Sequence, residues 1–162
     1  MRDHNLDEVA DFAALTLTSA RSIRFIEFMP LGQSRLLMDD GQFVSYAEIR
    51  ARIEAVHGPL EPADADVGNG PARVFRLANG IGRIGFIHAM SAPFCSTCNR
   101  LRLTPEGQLR SCLFDGGEID LRALVRVGAT QAEIRRAFVE CVSLKPDQHK
   151  NYGNRQMSSI GG

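Results

Sequence analysis

The chain has no surplus of charge of either sign: 19 lysines and arginines stand against 19 aspartates and glutamates. A general nucleic-acid binder carries a basic excess, so no nucleic-acid partner is expected. A small anionic ligand stays open, because it needs only a few local arginines. Long apolar runs are also absent. No stretch approaches the roughly 20 apolar residues of a membrane span, and Met1-Arg2-Asp3-His4-Asn5 has no apolar run behind it. The expected setting is therefore cytoplasmic, away from membranes, where thiols stay reduced. Internal repeats and low-complexity blocks are lacking too. Cysteine is scarce, 4 in 162 residues, and none precedes Cys95.

What the chain does contain is informative. At 44% hydrophobic it can bury a core, and its length is that of one ordinary domain. The spacing of Leu6, Val9, Phe12, Ala13 and Leu17 predicts a helix over 6–18, with Asn5 and Glu8 as a capping box. Residues 23–29 read as a strand ended by Pro30 and Gly32, with Ile23, Phe25 and Met29 on one face and Arg24, Ile26 and Phe28 on the other. A second helix runs from Ser45 to Val56, capped by Ser45 and Glu48 and stopped by Gly58-Pro59. Residues 59–72, rich in proline, glycine and aspartate, read as an exposed loop.

Asn79-Gly80 between two apolar runs signals a hairpin of 73–78 with 82–90. A second hairpin pairs 101–103 with 108–113 across Pro105-Glu106-Gly107. Residues 119–127 and 131–142 read as helices, the first closed by Gly128, and Cys141 on the last helix reads as core beside Phe138 and Val142. The tail from Lys145 is polar and aperiodic.

Cys95-Ser96-Thr97-Cys98 presents two thiolates on one side of a turn, and Cys112 lies on the far arm of the second hairpin, which folds back over that turn. Thiolates suit zinc and iron–sulfur clusters alike. A zinc ribbon wants a fourth ligand, for which His88 or Cys141 is a candidate. A redox disulfide between Cys95 and Cys98 is a third reading, and incidental buried cysteines a fourth. Two features favour a cluster: no second Cys-x-x-Cys accompanies the first, and Arg100 and Arg102 adjoin it. On a strand those arginines share a face, where guanidinium groups grip phosphate oxygens bidentately.

The run from Pro93 through Phe94, Cys95, Cys98, Asn99, Arg100, Leu101, Arg102 and Leu103, followed by Gly107 and by Ser111-Cys112-Leu113-Phe114, resembles the second-cluster motif of the GTP 3′,8-cyclases. These are radical S-adenosylmethionine (SAM) enzymes that open molybdenum-cofactor (molybdopterin) biosynthesis by converting GTP to (8S)-3′,8-cyclo-7,8-dihydroguanosine 5′-triphosphate. Arg24-Phe25-Ile26-Glu27-Phe28-Met29-Pro30 resembles the last barrel strand of that family, and Asn154-Arg155 leading to Ile160-Gly161-Gly162 its double-glycine tail. The resemblance covers essentially the whole chain.

That resemblance implies that Cys95, Cys98 and Cys112 hold a second [4Fe–4S] cluster with one iron open to the guanine of GTP. It implies that Arg100, Leu101, Arg102 and Arg24 bind GTP, that Met29 lies against SAM, and that Gly161 and Gly162 reach the active site as catalytic residues. The implied fold is α+β: the last helix–strand repeat of an incomplete TIM-type barrel over 1–32, then antiparallel hairpins and C-terminal helices over 33–162. The family's first cluster needs a Cys-x-x-x-Cys-x-x-Cys motif, which this chain lacks. The chain is therefore expected to be a fragment, inactive alone, whose partner is a missing N-terminal half or a homodimer mate. A small zinc-stabilised binding module and a thiol redox switch are the competing functions.

Overall fold

The computed structural model describes residues 1–64, 70–114, 117–149, 153, 155–156 and 159–160. The fold is α+β, as expected, and divides into two compact units: Met1–Met29 with Leu37–Phe94, and Pro30–Leu36 with Cys95–Gly162. No helix among the described residues is long and apolar enough to cross a membrane.

The first unit runs through α1 (Arg2–Asn5), α2 (Val9–Thr18) and β1 (Ser22–Ile26). After α3 (Arg35–Asp39), which straddles the division, it continues with α4 (Tyr46–His57), β2 (Leu60–Pro62), β3 (Arg73–Leu77) and β4 (Arg83–Ile87). Its sheet has the order β1-β4-β3-β2, with β1 parallel to β4 and the other neighbours antiparallel. The Asn79-Gly80 hairpin is present: Asn79 takes φ +63° and Gly80 N–H donates to Leu77 O at 2.9 Å. The alternation expected of β1 also holds, Ile23 and Phe25 turning inward while Arg24 and Ile26 are exposed.

Several expectations need correction. The helix expected from residue 6 starts only at Val9, with no side-chain cap, and Asn5 instead ends the separate short helix α1. Within 59–72, Leu60–Pro62 forms a strand because Leu60 is buried in the core while its backbone pairs with Leu77 of β3; residues 65–69 lie outside the described residues. Ser45 does cap α4, accepting from Glu48 N–H, but Glu48 turns outward to Arg2 instead of closing a box.

The parallel β1–β4 pair, which joins residues 61 apart (Ser22 and Arg83), depends on a close approach. Gly82 N–H donates to Thr16 O and Arg83 N–H to Arg21 O, each at 2.8 Å. A Cβ at Gly82 would lie 2.4 Å from Arg21 O and 2.6 Å from Ser19 O, so only glycine lets the turn before β4 nest on the turn before β1. Below this pair, Val9 and Ala13 of α2 and Ile49 and Ile53 of α4 pack on Ile84 and Phe86.

At the C-terminal end of β1, Glu27 is 3% exposed. Its Oε1 accepts from Tyr46 N–H at 2.7 Å and from the Ser91 hydroxyl; its Oε2 accepts from Met90 and Ser91 N–H at 2.8 and 2.9 Å. This one carboxylate ties β1, the start of α4 and the segment after β4 together. His88, at the end of β4, is fully buried. Its Nδ1 is 2.5 Å from Ala92 O, which only accepts, so Nδ1 carries the proton; Nε2 has no partner among the described residues.

The second unit holds β5 (Arg102–Leu103), β6 (Gln108–Arg110) and β7 (Glu118–Asp120) in an antiparallel sheet of that order, then α5 (Leu121–Arg126) and α6 (Gln131–Ser143). Residues 119–120 are strand rather than helix, because their backbone completes the ladder on β6 and Asp120 then caps α5 by accepting from Ala123 N–H. Thr130 and Glu133 form a reciprocal capping box on α6. Leu109, Leu121, Ala137 and Cys141 make the core. Cys141 is buried as expected, but Phe138 and Val142 face outward, because the helix presents Ala137 and Cys141, four apart, to the sheet.

Replacing Glu27 by Ala strands three backbone N–H groups, each costing about 1–3 kcal/mol when buried. Glu27→Ala is expected to destabilise the chain by about 3 kcal/mol or more in chemical denaturation, and Glu27→Gln by less; equal midpoints for wild type and Glu27→Ala would refute the tie. Strand β1 pairs, among the described residues, with β4 alone, and Ile26 on it is 56% exposed. An apolar open edge promotes association. Ile26→Lys should therefore lower self-association in analytical ultracentrifugation at matched concentration, and an already monomeric wild type would contradict this.

Candidate functional site

The three clustered cysteines lie in the second unit. Cys95–Thr97 forms one 3-10 turn, closed by Cys98 N–H donating to Cys95 O at 3.1 Å. All three thiols are half-buried, whereas Cys141 is fully buried and its thiol is pushed up by burial, as suits an unreactive core thiol. Among the described residues no group of three or more His, Cys, Asp and Glu side chains is gathered to hold a metal ion.

Cys112 follows β6, and the hairpin that carries it is set by its turn. Gly107 N–H donates to Thr104 O and Thr104 N–H to Gln108 O, each at 2.9 Å, while Thr104 Oγ1 accepts from Gln108 N–H. Gly107 takes φ +82°, the left-handed region that favours glycine. The register then places Arg102 opposite Arg110, and Arg110 opposite Glu118. Arg110, with its side chain 5% exposed, bonds Glu118 Oε1 at 2.6 Å, and Arg155 reaches Glu118 Oε2 at 3.3 Å.

Arg102 is half-buried beside this row. Burial lowers its pKa, and the charge of Arg100 lowers it further, while Cys112 and Cys98 act in the opposite direction. The guanidinium therefore sits within electrostatic reach of two of the three clustered thiols and of Arg100. The strand begins only at Arg102, so the shared-face argument for Arg100 and Arg102 does not apply: Arg100 is exposed in the segment before β5, and Leu101 between them packs against the core of the unit.

A residue that sequence reasoning passed over completes the site. Lys145, just past α6, places its ammonium 2.7 Å from both Arg100 O and Ser111 O, and 3.8 Å from Cys98 Sγ. The only signal for it was a lysine next to Pro146 at a helix end, in a stretch read as polar tail. Arg110 and Glu118 were missed as well, although the Thr104–Gly107 turn, extended in register, places Arg110 opposite Arg102.

Of the other expected site residues, Arg24 is exposed on β1 and Met29 half-buried beyond it, both in the first unit. Arg24 borders an open cleft of about 270 Å³ that Phe12, Ile23, Val44 and Ile49 also line. Gly161 and Gly162 lie outside the described residues, as does Asn154; Ile160 just before the glycines is fully buried.

Three thiols are donors of the kind that zinc and iron–sulfur clusters both take. A zinc ion needs its ligands converging on one atom at about 2.3 Å from each sulfur, whereas a four-iron cluster takes one thiolate per iron. Cations at Arg102 and Lys145 beside the thiols suit the negative charge of such a group.

The family profile described as Molybdenum Cofactor Synthesis C matches residues 21–151. Among curated relatives, the GTP 3′,8-cyclase of Pelotomaculum thermopropionicum is 47% identical over 100% of this chain and 51% of its own length. That of Moorella thermoacetica is 47% identical over 99% of this chain and 50% of its own. That of Heliobacterium modesticaldum is 45% identical over 98% and 50%. The chain thus spans about half the length of the curated relatives it matches.

A Cβ at Gly107 would lie 2.7 Å from Arg122 Cβ and would hold a strained φ. Gly107→Ala should destabilise the second unit by about 2 kcal/mol, more than alanine's lower unfolded-state entropy returns. Thermal unfolding checks this, and an unchanged midpoint would mean that the turn does not set the hairpin.

Proposed function

We propose, for a chain that belongs to the Molybdenum Cofactor Synthesis C family, that it supplies the second-cluster and nucleotide-gripping portion of a GTP 3′,8-cyclase. The observation that carries this reading is the setting of Arg102 and Lys145 against Cys98 and against the segment leading into Cys112. Cys95, Cys98 and Cys112 hold a [4Fe–4S] cluster, each through its thiolate. Three thiolates leave one iron open, and when bound the cluster supplies a Lewis-acidic site that orients a nitrogen-rich ring such as guanine.

The arginines divide the remaining work. Arg100 and Arg102 grip the triphosphate, Arg100 from an exposed position and Arg102 from a half-buried one that keeps water from its inner side. Their carbonyls and side chains bracket Leu101, whose packing into the core fixes the spacing between them. Arg24, on β1, gives the nucleotide a further cation, and Met29, beyond the end of β1, lies against SAM. Gly161 and Gly162 enter the reaction space as side-chain-free positions. Residues 1–32 act as a barrel remnant and 33–162 as the domain proper.

Within these 162 residues no cysteine precedes Cys95, and a second copy of them would bring none, so the cluster that cleaves SAM is held by residues outside them. Alone, the chain does not cyclise GTP. Turnover of GTP by this chain with SAM and reductant would refute that statement.

The deciding experiment is anaerobic reconstitution with iron and sulfide. About four irons per chain with a broad visible absorption band is the expected result. Arg100→Ala and Arg102→Ala should each weaken GTP binding at least tenfold, about 1.4 kcal/mol, with iron content unchanged. One tightly bound zinc and no colour would instead make the site a structural metal module. A Cys95–Cys98 disulfide forming reversibly, without metal, would favour the redox switch.

A further inference from the structure

We infer that Lys145 is a positioning residue of the cysteine site: it pins together the two chain segments that carry Cys98 and Cys112 and donates a charged hydrogen bond to the Cys98 sulfur. The inference rests on the cluster reading above and deepens it.

A lysine ammonium has three donors and no acceptor. Here the three acceptors around it are Arg100 O and Ser111 O, each at 2.7 Å, and Cys98 Sγ at 3.8 Å. Arg100 lies two residues after Cys98, and Ser111 immediately before Cys112. One cation therefore bridges the two arms that must deliver thiolates to a common group. Nothing in the hairpin ladder does this, since β5 begins at Arg102 and β6 ends at Arg110, short of both cysteines.

The ammonium is itself held from behind. Lys145 N–H donates to Val142 O at the end of α6, so the lysine leaves the helix in a set direction, and Pro146 stops the helix there. The Ser111 hydroxyl donates to Leu144 O at 3.2 Å, and Ser111 is fully buried. Helix α6 is anchored in turn by Cys141 and Ala137 in the core of the unit. The chain of support thus runs from packed helix to ammonium to cysteine loops.

Such a group does two separable things. It orders the loops, and it places positive charge and an N–H donor against one cluster sulfur. Hydrogen bonds to ligand sulfur raise the reduction potential of iron–sulfur sites, because one-electron reduction adds negative charge there. Outer groups of this kind govern affinity as well as potential.

The test uses the full chain, reconstituted anaerobically, as wild type and as Lys145→Met, Lys145→Gln and Lys145→Arg. Iron loss to a chelator and the reduction potential, by dithionite titration followed in the visible spectrum, are read alongside far-ultraviolet circular dichroism. Lys145→Met should lose iron several-fold faster and shift the potential to more negative values, with native circular dichroism. Lys145→Gln keeps a donor without charge and should remain shifted, whereas Lys145→Arg should recover most of the wild-type potential.

A Lys145→Met protein with wild-type potential and iron retention overturns the inference. So does an arginine variant as shifted as the glutamine one, since charge would then be irrelevant. Should Lys145→Met fail to fold, the Gln and Arg pair decides by the same criterion. A wild type that takes up no iron defeats the cluster reading itself and this inference with it.

Discussion

Crowding of positive charge onto one small sheet is the constraint that governs the second unit. Arg102 faces Arg110 across a single ladder, Arg100 adds its field, Lys145 stands against Cys98, and Arg155 approaches from the far side. Two unit charges about 4 Å apart repel by about 4 kcal/mol at an effective dielectric of about 20. A fold does not keep such an arrangement unless something negative offsets it. Glu118 does so for Arg110 and Arg155, reached at 2.6 and 3.3 Å. The charged form of Arg102 is favoured by Cys112 and Cys98 in their ionised forms, and Lys145 lies 3.8 Å from Cys98 Sγ. Ionised thiols near Arg102 would ease that crowding, as Glu118 does for Arg110 and Arg155.

Local chemistry was legible in the sequence wherever it is carried by neighbours in the chain. Asn79-Gly80 specifies a turn by the φ it tolerates, and Ser45 announces a helix start through a hydroxyl that accepts from Glu48, three residues on. The turn between Cys95 and Cys98 is of the same kind. Asn5 has cap spacing to Glu8, yet it ends α1, and α2 begins only at Val9. The other readings that failed depended on a distant competitor. Ile119 has a helical neighbourhood, yet its backbone is captured by Leu109 of β6. Lys145 was least legible of all, because its partners, Arg100, Ser111 and Cys98, lie more than thirty residues upstream and two of the three are carbonyls, which any sequence supplies.

The parallel β1–β4 pair was also invisible, although both strands were recognised singly. Parallel strands cannot be joined by a tight turn and need a long crossover, so nothing local marks the pairing. The decisive residue is Gly82, whose missing side chain admits the carbonyls of Ser19 and Arg21. Read alone, that glycine looks like the tail of the Asn79-Gly80 turn. In the structure it aligns β1 and β4 so that both end on one side, with Glu27 and His88 following directly. The C-terminal ends of parallel strands are where α/β sheets place their chemistry.

Not every polar group at such a place is available for chemistry. Glu27 accepts four hydrogen bonds, two on each oxygen, and an ionised carboxylate has about four acceptor positions. Lys145 has three donors and three acceptors around it. Both are saturated by the protein and have no capacity left for a ligand, so their work is to hold segments in place. Guanidinium groups differ in kind: each carries five donors in a planar fork, and the exposed Arg100 offers that fork to solvent on a segment whose carbonyl Lys145 has already fixed. With the backbone held in this way beneath an exposed, always-charged side chain, an anion meeting Arg100 would have to order only the guanidinium and not the loop beneath it.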